Sequence, residues 1–293
     1  MKIYDCFMYF DEDMLLDIRL NILTKYVDKF IIIESKFLHS GKEKKLNFNI
    51  NNFSKFRDKI IYLVMDQLPP GIEEIKEEDN IDVSNKKKLD NSLKRENAQR
   101  NKLLQGVLTA HDEDLIISSD LDEIPNLSNF KHQAKISIFL QDVFYYKFNL
   151  KQPDMIWYGT RACKKKDLIS FQWLRNIKSK KYPFWRLDSI FSKKKYQNIN
   201  FIKDGGWHFT SIKDPEKIHF KLSNFMHHLE FEESGLSVTD MKKMVSEKKI
   251  LYDHRADKKN KKFDSSQKLV KATDDVLPKY ILDNKKKYLR WFD

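Results

Sequence analysis

The sequence predicts an α/β fold, and three observations carry the prediction. Apolar runs of β character at Ile3 to Phe10, Phe30 to Ile33 and Ile60 to Met65 alternate with segments of helical character. Hydrophobic residues make up 41% of the 293, with 21 Phe and 12 Tyr, which is enough for a packed core and too much for a disordered basic chain. Further on, the apolar stretch Asp114-Leu115-Ile116-Ile117-Ser118-Ser119 runs straight into Asp120, Asp122 and Glu123 and stops at Pro125. In open α/β sheets ligands bind at the carboxyl ends of strands, so chemistry is expected there.

Between the first two runs, Met14, Leu15, Ile18, Ile22 and Leu23 recur at helical spacing behind Asp11-Glu12-Asp13, and acidic residues suit the positive end of a helix dipole. The third run leads into a turn at Pro69-Pro70-Gly71. From Ile72 to Asn91 the chain is highly charged and almost free of aromatics, which reads as an exposed excursion or mobile loop. A helix is predicted from Ser92 to His111. Its core side is Leu104, Val107 and Leu108, and stepping back by three and four the same stripe meets Arg100, Asn101 and Asn97 before Leu93. Polar groups on a buried face must be paired, at a cost of about 1–3 kcal/mol for each left unsatisfied. Either Glu96 pairs with Arg100 four residues on, or this face lines a polar ligand site. Beyond residue 236 the pattern turns helical and lysine-rich, at Thr239 to Ile250 and Pro278 to Phe292. The expected organisation is one catalytic domain over 1–235 with a helical extension, 236–293, packed on it.

The charge balance is 55 Lys+Arg against 43 Asp+Glu, a net +12 that is mostly lysine, since only nine residues are arginine. Short runs such as Lys86-Lys87-Lys88 and Lys193-Lys194-Lys195 carry much of it. The longest stretches without Asp, Glu, Lys or Arg are nine residues, Leu46 to Ser54 and Leu103 to His111, against the roughly 20 apolar residues of a membrane span. The amino terminus reaches Asp5 without an apolar run, unlike a signal peptide. A cytoplasmic protein is expected, with peripheral contact to an anionic membrane face as one use of the surplus charge. The two cysteines, Cys6 and Cys163, show no metal-ligand spacing and read as buried thiols.

Asp120 and Asp122 are two apart, which in extended geometry points both side chains the same way, and a hard divalent cation takes such oxygen ligands. Alone, the pattern reads first as a solvated acidic turn after a strand and only second as a metal site. The strand-end position, the polar helix face before it and the cationic surplus favour a Mn²⁺ or Mg²⁺ site for a phosphorylated donor.

Several blocks in order resemble glycosyltransferase family 17. They are Ile3-Tyr4-Asp5-Cys6-Phe7, Leu15 to Leu20, Val27 to Ser35, Ser40-Gly41-Lys42 with Leu46-Asn47-Phe48, Arg95 to Asn101, Ser119 to Pro125, Gly206-Trp207-His208-Phe209 and Leu277 to Leu282. The resemblance implies a GT-A type nucleotide-sugar-binding fold, with a mixed, mostly parallel sheet flanked by helices and a helical carboxyl-terminal extension. It also implies an inverting transfer, with GlcNAc from a UDP-GlcNAc donor to a glycan or glycoconjugate acceptor. Asp120 and Asp122 would hold the metal against the donor diphosphate. Arg95, Gln99, Arg100 and Asn101 resemble the donor-facing helix, with Arg100 the first choice for the diphosphate or the carboxylate pair. Glu34 is a candidate nucleoside contact and Trp207 a sugar-stacking face.

An inverting enzyme needs a base beside the attacking hydroxyl. The candidates are Glu230 and Asp204, then His208, with Glu123 kept as base, donor contact or support of the metal. His227 and His228 precede Glu230, and either is a candidate for the metal or diphosphate. Two rival classes remain. One is another metal-dependent nucleotidyl or phosphoryl transferase using the same carboxylates. The other is a basic nucleic-acid-binding protein, which the dispersed lysines and the lack of a recognition motif argue against.

Overall fold

The computed structural model describes residues 1–293 apart from 181, 183–191, 193, 197, 226–227, 254–262 and 264–266. His227 and Lys193, both named above, lie outside the described residues.

The elements alternate first. Strand β1 (Ile3–Met8), helix α1 (Asp13–Leu23), β2 (Lys29–Ser35), β3 (Ile60–Met65), α2 (Ile81–Lys102) and β4 (Leu115–Asp120) follow in order. Next come β5 (Glu123–Pro125), β6 (Ile136–Phe139), β7 (Gln141–Tyr145), β8 (Leu150–Trp157), β9 (Arg161–Lys164) and α3 (Phe171–Asn176). The chain continues through β10 (Ile199–Ile202), β11 (Gly206–Thr210), α4 (Pro215–Leu222), α5 (His228–Ser234), α6 (Val238–Ser246), β12 (Val270–Lys271) and α7 (Lys279–Asp283).

Two mixed sheets result. The larger has the order β10-β6-β9-β4-β1-β2-β3. The pairs β1/β2, β1/β4, β2/β3 and β6/β10 are parallel, and only β9 runs against its neighbours β4 and β6. The smaller sheet, β12-β8-β7-β11-β5, is mainly antiparallel, with β7 and β11 parallel. This second sheet was not identified from the sequence: β5 and β12 have three and two residues, too few for a period, and β7 and β11 have only five each.

Strand alternation sorts the core. Phe7, Phe30, Ile32, Leu115 and Ile117 point to one face of the large sheet, where α1 adds Leu15, Leu16, Ile18, Leu20 and Leu23. Tyr4, Cys6, Ile31, Ile33 and Ile116 point to the other, against Leu103, Val107 and Phe171. Strands covered on both faces read as continuous apolar runs, which is why the first three were visible. Truncating a fully buried member such as Leu16 to alanine costs about 2–5 kcal/mol. Cys6 and Cys163 are free thiols inside these layers.

Several boundaries differ from expectation. Helix α2 begins at Ile81, capped by the Asn80 side chain, so the second half of the charged excursion is a solvated helix and not a loop. The same helix gives way to a 3-10 turn at Leu103–Val107. That change of pitch rotates Leu108 off the core side, leaving it 73% exposed where the α-helical stripe placed it inside. In the last part of the chain the helices are shorter than predicted. α6 ends at Ser246, and Pro278 to Phe292 contains only the short α7 and a 3-10 turn at Leu289–Trp291. Among the described residues no helix is long and apolar enough to cross a membrane.

Candidate active site

The carboxyl ends of β1, β2 and β4 open into a cleft of about 630 Å³. The chain is not extended between the two aspartates: residues 121 and 122 form a turn that links β4 to β5. Asp120 and Asp122 both line the cleft but meet different partners. Asp120 accepts from Arg100 through Oδ1 and from Arg175 through Oδ2, each at 2.8 Å. Burial raises its pKa, and the two guanidinium groups outweigh burial and hold it far below the usual carboxylate range. Asp122 instead lies 3.7 Å from His208 Nε2 and 3.8 Å from Lys221 Nζ, beyond direct hydrogen bonding. Burial dominates there and raises its pKa despite the nearby Lys221.

Arg100 is 2% exposed and spends its whole fork. Its Nε donates to Gln172 Oε1 at 3.0 Å, while NH2 donates to Glu96 Oε1 at 2.6 Å. The two explanations of the polar helix face therefore coexist: Glu96 pairs with Arg100, and both line the cleft with Asn97 and Gln99. Gln99 faces His39 Nε2 at 3.2 Å, and burial lowers the pKa of that imidazole.

The other predicted residues divide by location. Asn101 lies behind the cleft, accepting from the Gln172 backbone at 2.9 Å and so seating α3. Arg95 donates to the His39 carbonyl at 3.1 Å and packs against Gly41, whose φ of +102° suits only glycine and leaves no room for a Cβ. It fastens the loop after β2 to α2. Glu34 is fully buried and does the same from the other side, accepting from Lys44, from the Asn47 and Phe48 backbone amides and from the Tyr62 hydroxyl. Trp207 and His208 are neighbours on β11 and point opposite ways. Trp207 Nε1 donates to the Val276 carbonyl at 2.6 Å on the far side, whereas His208 enters the cleft and stacks on Trp157 at 4.9 Å. Gly206 is needed because a Cβ would overlap the Ile124 carbonyl across the β5/β11 pair. Asp204 sits in the left-handed turn before it (φ +49°), outside the cleft.

Glu123 is saturated. It accepts Trp157 Nε1 at 2.6 Å, both Arg175 terminal nitrogens at 2.8 Å and the Asp120 amide at 2.9 Å. Burial opposes its ionisation, and Arg175 overcomes that and lowers its pKa. Such a carboxylate braces the turn. Glu230 stands behind the cleft wall, 3.4 Å from the Tyr252 hydroxyl, and the neighbouring His228 is buried with Nδ1 2.9 Å from the Phe225 carbonyl oxygen.

Sequence reasoning missed Arg175, Lys213, Lys221, Glu12 and Trp157. Lys221 donates to Glu12 Oε1 at 2.9 Å, and Lys213 holds Asp11 and Glu12, across about 200 residues of chain. No local pattern marks them. The one available signal was the helix-like acidic start Asp11-Glu12-Asp13, whose charges are used partly on these lysines.

Among the described residues no group of three or more His, Cys, Asp or Glu is placed to hold a metal ion. A two-residue donor set does fit one. Asp122 and His208 both face the cleft with Oδ1 and Nε2 3.7 Å apart, and Asp122 is not neutralised by a direct contact. Carboxylate and imidazole suit Mn²⁺, and donor phosphate oxygens and water would complete its shell.

A mostly parallel sheet whose strand ends carry a carboxylate turn facing arginines and lysines, beside a second smaller sheet, is consistent with a glycosyltransferase fold. The model of glycosyltransferase family 17, which the sequence blocks resembled, matches residues 1–137, from β1 through the Asp120–Glu123 turn to the start of β6. Glycosyl transfer from a nucleotide-sugar donor to a glycan acceptor is the chemistry of that family. The blocks at Gly206-Trp207-His208 and Leu277 to Leu282 fall outside the matched segment. No curated protein matches the chain.

Proposed function

We propose that the protein is an inverting, metal-dependent glycosyltransferase that moves GlcNAc from UDP-GlcNAc onto a glycan hydroxyl. The observation that carries this reading is the convergence of Asp120, Asp122 and His208 with Arg100, Arg175 and Lys221 in one cleft at the strand ends of the matched region. A Mn²⁺ or Mg²⁺ ion held by Asp122 and His208 would offset charge developing on the departing diphosphate. Asp120 is committed to its arginines and orients the turn from which Asp122 projects. Lys213 and Lys221, the latter 3.8 Å from Asp122, add positive charge for the phosphates. Tyr145, Trp157, Leu251 and Tyr252 also line the cleft, aromatic and apolar surface of the kind on which pyranose faces stack.

Among the acids named as bases, Glu123 is consumed by Arg175 and Asp204 lies outside the cleft. Glu230 also lies outside the cleft, behind Tyr252, so none of these three acids presents a carboxylate to an acceptor hydroxyl. The test is UDP release from a panel of nucleotide sugars, with EDTA and with Mn²⁺ restored. Turnover of UDP-GlcNAc that EDTA abolishes and Mn²⁺ recovers is expected. Absence of UDP release from every donor, or pyrophosphate release from a nucleoside triphosphate, would overturn the reading.

A further inference from the structure

Arg19, on α1, is fully buried and lines no part of the cleft, yet its whole hydrogen-bonding capacity goes to the cleft's carboxylate turn and to one orienting acid. Its NH1 donates to three backbone carbonyls at once, those of Asp120, Leu121 and Glu123, at 3.0, 3.0 and 2.9 Å. NH2 donates to the Ser119 hydroxyl at 2.5 Å. The remaining donors close a bidentate pair with Asp5, at 2.8 and 2.6 Å, and Asp5 is itself fully buried on β1. The guanidinium carbon stands 4.4 Å from the centre of the Phe7 ring.

Three carbonyl oxygens aimed at one point repel one another, and although the Phe209 amide holds the Asp122 carbonyl, the Thr160 hydroxyl reaches the Glu123 carbonyl and the Glu123 side chain accepts from the Asp120 amide, only Arg19 reaches all three. A buried carbonyl without a donor is costly, and one planar fork satisfies all three while its other edge is fixed by a carboxylate. Lysine lacks that geometry. Its single ammonium reaches either the carbonyls or Asp5, not both at once. The residues so held are the ones whose side chains face the cleft.

We propose that Arg19, oriented by Asp5, is the positioning residue that sets the directions of the Asp120 and Asp122 carboxylates by fixing the backbone beneath them. The inference rests on the metal-dependent reading above and adds the determinant of that site's geometry. Arg19 acts through the turn and touches neither donor nor acceptor.

The test uses full-length wild type and Arg19→Lys. Folding is followed by circular dichroism and melting, Mn²⁺ binding by electron paramagnetic resonance of the free ion, and kcat and KM from UDP release at saturating Mn²⁺. Arg19→Lys is expected to fold with a lowered Tm, to bind Mn²⁺ at least tenfold more weakly and to lose at least tenfold in kcat, with donor KM changed less than threefold. A purely architectural role would lower Tm and leave Mn²⁺ affinity of the folded protein alone, so a folded Arg19→Lys with affinity within twofold of wild type overturns the proposal. Should that variant not fold, Ser119→Ala, which removes one contact, decides: about threefold weaker Mn²⁺ binding supports it and unchanged binding overturns it. Wild type that binds no Mn²⁺ overturns the metal reading and this inference with it, and shows in the wild-type arm alone.

Discussion

Two regions around the cleft carry positive charge by different means. About the Asp120–Glu123 turn the cations are arginines, Arg19 and Arg100 buried and Arg175 partly so, each binding two or more acceptors in a fixed plane. Beside the loop after β1 they are Lys213 and Lys221, single ammonium groups paired with Glu12. Arginine's fork fixes geometry, whereas lysine supplies a point charge that can be redirected when an anion arrives. The contrast separates a rigid arginine set that shapes the turn from an adjustable lysine pair.

The comparison can be broken on its rigid side first. Arg175→Met leaves Glu123 buried without its counter-charge, a loss of about 3–5 kcal/mol for a broken buried pair. Melting is expected to drop sharply and UDP release to fall about a thousandfold. A variant that keeps wild-type Tm would show that the brace is not structural.

Next is Asp122→Asn, expected to lower turnover at least a hundredfold through loss of ligand charge. Its stability effect has the opposite sign to that of Arg175. Because burial raises the Asp122 pKa in the fold, the folded state binds more protons than the unfolded one, and ionisation weakens folding as pH rises. At neutral pH the Asn variant should melt no lower than wild type. A lower Tm with retained turnover would reverse the assignment.

In the lysine pair, Lys221→Gln should raise donor KM about tenfold with little change in Tm, since Lys213 still compensates Glu12. Equal losses in KM and Tm would mean that this lysine is as structural as the arginines. The smallest effect concerns pH. His39 is held neutral by burial, with Arg100 acting in the same direction and Glu96, Asp120 and the Gln99 hydrogen bond opposing. Its folded pKa is depressed, so its contribution is complete above the unfolded value of about 6.5 and is lost as pH falls through the folded one. Tm should decline below that pH, less so in His39→Gln; identical profiles would remove His39 as the cause.

The sequence reading reached some parts of this picture and not others for physical reasons. β3 was predicted at its observed limits, and β2 close to them, because both faces of each are covered and the apolar run is unbroken. Arg100 was legible because a charge on an apolar stripe must be paired, and the stripe's spacing is local. The helix after Leu103 was misread because a 3-10 turn shifts the phase without any change in composition. Arg175 was illegible: α3 has six residues, too few for a period, and its partners lie 52 and 55 positions away. Trp207 was read as a sugar-stacking face, although strand alternation alone requires that it and His208 point apart.

That alternation also ties two distant surfaces of the molecule together. The Trp207 indole grips the backbone at Val276, and the next residue along the strand presents its imidazole to Asp122. A single peptide unit thus separates the residue that anchors the 274–276 segment from the one that enters the cleft, so the outer surface and the carboxylate turn share one stretch of backbone.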